Sequence, residues 1–268
     1  MSVDLPNSRE GSCCDNNDDN GIQQRLPQKN CLIKGRQFSF AIGRQISVGK
    51  FGAVYEVLRQ SDGKCFAAKL ELCDAHFHGL NVDYSVLDRA SKKNLKHFTE
   101  LIDFGKIQGH FKFIIMTMLD KNITQLRSMF VGNRFSLSTA LRLGLQTLSA
   151  LQELHSLGYV HRDVKGTNFV VSHEPHPNLT VYIIDFGLCR SYRNADNEIK
   201  PPRQTARFRS QVLFASRGTT RYASLAAHNE KEQAPRDDLE SWFYMLIEMI
   251  SGDSNLPFSS LFKSNNIQ

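Results

Sequence analysis

The run His161-Arg162-Asp163-Val164-Lys165-Gly166-Thr167-Asn168, followed 17 residues later by Asp185-Phe186-Gly187, limits this chain more than any other feature. It sets an acid, a lysine and an asparagine close together, with a second acid at a fixed distance. Phosphoryl transfer needs a carboxylate that accepts a hydroxyl proton, a cation beside the moving phosphoryl group, and oxygen ligands for magnesium. These residues supply all three, in an order and spacing that an unrelated fold would rarely reproduce. Any one of them alone would pass for an ordinary loop residue.

Upstream, Ile46-Ser47-Val48-Gly49-Lys50-Phe51-Gly52-Ala53-Val54 lies between two apolar runs. Its glycines would let backbone N–H groups approach phosphate with no Cβ in the way. No helix is expected after it and the GK[ST] ending is missing, which excludes a dinucleotide-binding turn and a P-loop; a plain hairpin stays open. Phe66-Ala67-Ala68-Lys69 then sets a lysine 17 residues past Gly52 in an apolar strand. Such a lysine needs an anionic partner, unless the strand is an edge that leaves it in water.

The organisation around these motifs reads as two lobes. Residues 1–35 are rich in Asn, Asp, Ser, Gln and Gly without apolar periodicity and are expected to form a flexible tail. Apolar runs Phe38–Ile46, Ala53–Leu58, Cys65–Leu70 and Phe111–Met118 predict antiparallel strands, and Val82, Val86 and Leu87 predict a short helix over Asn81–Ala90. Beyond them, Leu141, Leu145, Leu148, Leu151 and Leu154 mark a helix over Ser138–Leu157, with Ser138 as its cap and Gly158 at its end. A second helix, Asp237–Ser251, is apolar nearly all round and is expected to be buried. The fold class expected is α+β, with a sheet lobe at 36–119, a helical lobe at 120–268 and a cleft between them.

Net charge narrows the partners. The chain carries +6, and its first twenty residues contribute −4, leaving +10 on the rest. That excess predicts an anionic partner. Nucleic acid is not expected, since no zinc spacing, aromatic stacking pattern or recognition helix accompanies the charge. The six cysteines contain no CxxC pair, which fits a reducing compartment. With no signal-like core at the N-terminus and no run of 18 apolar residues, an intracellular protein, cytoplasmic or nuclear and monomeric, is expected.

The catalytic-loop and Asp-Phe-Gly motifs together resemble the signature of the eukaryotic protein kinases. Gly218-Thr219-Thr220-Arg221-Tyr222-Ala223-Ser224 and Arg236-Asp237-Asp238-Leu239-Glu240-Ser241 look like the casein kinase 1 superfamily, and Pro201-Pro202-Arg203 with Ser241–Leu246 looks closest to its tau-tubulin kinase branch. The resemblance spans residues 36–258. It implies a bilobal protein-kinase-like fold using ATP and Mg2+, with Asp163 as catalytic base and Lys165 steadying the phosphoryl group. It places Lys69 on the nucleotide's phosphates and Asn168 and Asp185 on magnesium. Met116 falls at the gatekeeper position, Met118 and Leu119 at the adenine hinge, and Ser47, Val48, Gly49, Gly52, Val54 and Ala67 around the nucleotide. Asp238 is implied to hold the catalytic loop by its backbone. Lysine two residues after the base implies serine or threonine acceptors. Residues 185–222 carry five more basic than acidic side chains, which favours acidic or already phosphorylated protein substrates.

Three departures leave alternatives open. Asp83 stands where the resemblance implies a glutamate partner for Lys69, one methylene longer; the helix sits closer, or Lys69 is poorly held, or Asp83 is a surface carboxylate. The stretch Ser210–Arg217 is an apolar insert, either a recognition element or a mistaken exon boundary. Leu256-Pro257-Phe258 is followed by only ten residues, so the helical lobe is expected to be truncated, with Trp242, Phe243 and Leu246 uncovered and stability reduced. The rival readings are a kinase-like scaffold that binds nucleotide or acidic partners without catalysis, and a nucleic-acid or membrane-surface binder.

Overall fold

The computed structural model describes residues 25–76, 78–173, 179–194, 196–203 and 219–252. The insert 210–217 and Leu256-Pro257-Phe258 lie outside the described residues.

The first lobe is a six-stranded antiparallel sheet in the order β1-β2-β3-β4-β6-β5. The strands are β1 (Leu32–Lys34), β2 (Ser39–Gly49), β3 (Gly52–Arg59), β4 (Cys65–Leu72), β5 (Leu101–Ile107) and β6 (Phe111–Thr117), with helix α1 (Gly79–Lys92) between β4 and β5. One face buries Phe40, Ile42, Val57, Ala68, Leu70, Phe113 and Ile115. The other turns to α1, whose Leu80, Val86, Leu87 and Ala90 join the core of the second lobe.

Two strands of this lobe escape the sequence reading. Leu32–Lys34, inside the stretch read as a tail, pairs with β2, and Ile33 is buried. Leu101–Ile107 pairs with β6 although Asp103, Gly105 and Lys106 interrupt its apolar run. Asp103 explains that interruption, because its carboxylate accepts the N–H groups of Arg36, Phe38 and Phe104 at 2.8–2.9 Å and ties the β1–β2 connection to β5.

The second lobe contains α2 (Ile123–Arg127), α3 (Leu137–Ser156), β7 (Tyr159–Val160), β8 (Phe169–Val171), β9 (Val181–Ile183), β10 (Arg190–Ser191), α4 (Leu225–His228) and α5 (Pro235–Ser251). Helix α3 is capped by Ser136, which accepts the Thr139 N–H, and not by Ser138. Gly158 follows its end at φ 82°, as glycine there should. The leucine stripe is corrected as well: Leu141 and Leu145 are exposed, and the buried face is Ala140, Leu143, Gly144, Thr147, Ala150, Leu151 and Leu154.

Close helix crossing accounts for that shift. A Cβ on Gly144 would lie 3.0 Å from Leu246 Cδ1, and Trp242 Nε1 donates to Thr147 Oγ1 at 2.9 Å. Gly144 and Thr147 therefore face α5, and Leu141 and Leu145 fall on the exposed side. Helix α5 is not buried all round as its composition suggested: Met245 and Met249 are buried, but Leu239 and Phe243 are exposed. Its buried polar side chains are Asp237, Asp238, Ser241 and Glu248, of which Asp238 reaches the site.

Candidate functional site

Strand β4 supplies the first half of the site. Its two-residue period puts Ala67, Lys69 and Glu71 on the face toward α1. Glu71 accepts the Leu80 N–H at 2.7 Å, closing the start of a helix that has no side-chain cap of its own, and pairs with Lys112 at 2.9 Å. With α1 thus fixed, Lys69 Nζ reaches Asp83 Oδ2 at 2.6 Å and Asp185 Oδ1 at 2.8 Å. The shorter acid does form the ion pair, and it does more. Asp83 Oδ1 accepts the Phe186 N–H at 2.7 Å, so both oxygens are engaged.

This triad sets the charges. The Lys69 ammonium beside Asp185 holds that carboxyl down at about 2, so it is anionic throughout any working pH range. Burial pushes the Asp83 carboxyl up, with Lys69 and the Phe186 amide opposing. Burial also works against the Lys69 charge, but the two carboxylates outweigh it and raise the ammonium above its ordinary value. Replacing Asp83 by Ala leaves a buried amide and a lysine with one carboxylate fewer. The expected cost is about 1–3 kcal/mol, read as a lower urea midpoint at unchanged slope.

The second half is the loop between β7 and β8. Its shape is imposed from α5: Asp238 accepts the His161 N–H at 2.7 Å, the Arg162 N–H at 2.9 Å and a His155 Nε2 contact at 2.8 Å. Arg162 takes φ 68°, unusual for a non-glycine, and its guanidinium donates to Leu188 O. Asp163 is buried, with Lys165 Nζ at 2.8 Å and Asn168 Nδ2 at 3.1 Å from its Oδ2. Burial is the main influence on Asp163 and raises its carboxyl above the ordinary value, against the pull of Lys165.

The two halves meet across the β8–β9 pair, where Ile184 N–H donates to Asn168 O at 2.9 Å and brings Asn168 beside Asp185. Phe186 anchors the junction, buried and stacked on Phe98 at 5.5 Å. Asp185, like Arg162, sits in left-handed backbone at φ 63°. One carboxylate and one amide side chain suit magnesium carried on substrate phosphates. Among the described residues no group of three or more His, Cys, Asp or Glu could hold a metal.

The remaining sequence candidates lie on the sheet lobe or just past its last strand. Val54 stands opposite Lys69 in the β3–β4 register and Ala67 opposite Met116 in β4–β6. Met118 and Leu119 follow β6, half-buried. Ser47, Val48 and Gly49 lie on the exposed arm of the β2–β3 hairpin, where Gly49 pairs with Gly52. Gly52 is required there, because a Cβ would fall 1.9 Å from Leu70 O.

The sequence reading missed three acids. Glu71 had a signal, a charge inside an apolar strand. Glu232 and Glu248 had none. Glu232 pairs with Arg190 and Arg203, and Glu248 with Arg127 and Arg221. Three arginines expected to face substrate, Arg190, Arg203 and Arg221, are thus paired with carboxylates of the chain while partly exposed, and Arg207, Arg209 and Arg217 lie outside the described residues.

Comparison with known proteins gives the arrangement its relatives. The family model described as the protein kinase domain matches residues 40–266. A chain of Dictyostelium discoideum named probable serine/threonine-protein kinase is 34% identical over 230 residues, covering 86% of this chain and 43% of that one. The serine/threonine-protein kinase spe-6 of Caenorhabditis elegans is 34% identical over 239 residues, 88% of this chain and 59% of its own. This chain therefore spans about half the length of the curated relatives it matches. The solved structure of vaccinia related kinase 3 superposes with a TM-score of 0.72 at 19% identity, over 88% of this chain and 72% of that one, and shows a shared fold.

Proposed function

The chain belongs to the protein kinase family, and on that premise we propose that it transfers the γ-phosphoryl group of ATP, with magnesium, to serine or threonine side chains of acidic or already phosphorylated proteins. We place it in the casein kinase 1 superfamily, nearest the tau-tubulin kinase branch, on the Gly218–Ser224 and Arg236–Ser241 motifs. The observation that carries the reading is the meeting of Lys69, Asp83 and Asp185 beside Asp163, Lys165 and Asn168.

Each residue then has a task. Lys69, locked between two carboxylates, presents its charge to the nucleotide's phosphates, and Met118 and Leu119 offer backbone to adenine. Asp185 and Asn168 would hold magnesium, which neutralises charge on the phosphates when bound. Asp163 accepts the proton of the acceptor hydroxyl, and Lys165, 2.8 Å from it, balances charge that develops on the phosphoryl oxygens. A scaffold without catalysis drew its first support from the length of Asp83, and the 2.6 Å ion pair removes that support.

The test is transfer from γ-labelled Mg-ATP by the purified chain to an acidic casein-like protein and to a basic histone-like protein, with the labelled amino acids identified. Faster labelling of the acidic protein on Ser and Thr is expected, with the advantage shrinking as salt rises. Equal rates would sink the acidic preference. No label on either protein would sink the kinase reading.

A further inference from the structure

The segment that leaves the Asp-Phe-Gly motif is held by an acid that lies on neither the segment nor the catalytic loop. Glu232, in the connection between α4 and α5, has Oε1 3.2 Å from Arg190 Nε, and receives Arg203 at 2.5 Å on Oε2 and 3.2 Å on Oε1. Its side chain is mostly buried. Arg190 lies on β10, paired with Val160 immediately before the catalytic loop, and Arg203 lies thirteen positions further on. One carboxylate therefore closes the base of the whole excursion 190–203.

A third guanidinium stands in the same field. Arg162, adjacent to Asp163, is half-buried, donates to Leu188 O, and feels the charges of Arg190 and Arg203 as repulsion and that of Glu232 as attraction. Without Glu232 three cations would crowd the start of the segment and drive it off the loop that carries the base. Planar guanidinium groups grip a carboxylate by two donors, as they would a phosphate, so the contact is directional as well as electrostatic.

We propose that Glu232 is a positioning residue, a built-in anion that pins residues 190–203 against the catalytic loop and so sets the geometry around Asp163. Its kinetic consequence rests on the kinase reading; its structural consequence does not. Among the described residues Glu232 pairs with none of those assigned to nucleotide, magnesium or the transferred group, so its loss acts through the segment and the charge balance at Arg162.

The experiment compares the full chain with Glu232→Gln, Glu232→Asp and Arg203→Ala, after thermal melts establish that each folds. Glu232→Gln is expected to lower kcat by on the order of tenfold to a hundredfold with the KM for ATP within about twofold. Hydrogen exchange of amides in 190–203 should accelerate by a similar factor while α3 stays protected. Glu232→Asp should recover part of the loss, and added inorganic sulfate or phosphate should recover part of it in Glu232→Gln but not in Arg203→Ala. Unchanged exchange in 190–203 for both Glu232→Gln and Arg203→Ala would overturn the proposal, whether or not the wild-type chain transfers phosphate. A chain with no transfer but faster exchange in the variants would overturn the kinase reading and leave the clamp standing.

Discussion

Asp163→Asn is expected to lower phosphoryl transfer by about two to four orders of magnitude while leaving the melting temperature within a few degrees. The substitution keeps the shape of the side chain and removes its ability to accept a proton. Lys165 and Asn168 both donate to Oδ2 of Asp163, so the geometry of the loop is maintained by hydrogen bonds that an amide oxygen still accepts. The pH profile gives a second reading of the same residue. Burial raises the Asp163 carboxyl, and only its ionised form takes a proton. The acidic limb of kcat should therefore be displaced upward from the ordinary aspartate value, with rate present above that pKa and lost as pH falls through it. The residual activity of Asp163→Asn should lack that limb. A variant that retains more than about a tenth of the wild-type rate would remove Asp163 from its role.

The largest loss of stability should come from Glu248→Ala. Glu248 is buried on α5, with Arg221 at 3.0 Å, Arg127 at 3.3 Å and the Tyr222 hydroxyl donating at 2.5 Å. Arg127 is itself buried at the end of α2, so truncation strips the carboxylate from a buried cation and from a buried phenol at once. Removing one partner of a buried pair costs about 3–5 kcal/mol. For a chain of this size that is a drop of roughly 6–20 °C in Tm, read by calorimetry. Tyr222→Phe removes a single hydrogen bond and should cost only about 1 kcal/mol. A Glu248→Ala protein that melts within a degree or two of wild type would show the cluster to be dispensable.

Asp163 and Glu248 differ in how plainly the amino-acid sequence reveals them. Asp163 sits in a contiguous run whose chemistry is complete within eight residues, and Asp185 lies at a fixed distance from it. Lys69 and Asp83 were legible as positions but not as a pair, because whether the shorter acid reaches depends on how closely α1 approaches β4, and Glu71 sets that approach. Glu232 and Glu248 meet arginines that are 27 to 121 positions away, and only the fold brings those together. The leucines of α3 misled for a related reason. Hydrophobic spacing locates an apolar face, but where two helices cross closely the contact selects Gly144 and Thr147, and size overrides hydrophobicity. Strands β1 and β5 were hidden by brevity and by Asp103, whose carboxylate serves backbone amides in a neighbouring loop.

Asp238 ties the backbone of the catalytic loop to a helix 77 positions away in the chain. A loop anchored at that separation cannot acquire its working shape from local interactions; closing so long a stretch of chain carries an entropic penalty that is recovered only once α5 has docked. During refolding, the shape of the catalytic loop should thus arrive late, after α5 has docked. The shape of that loop then reports on docking of α5, and partially folded forms should lack it altogether rather than hold it weakly.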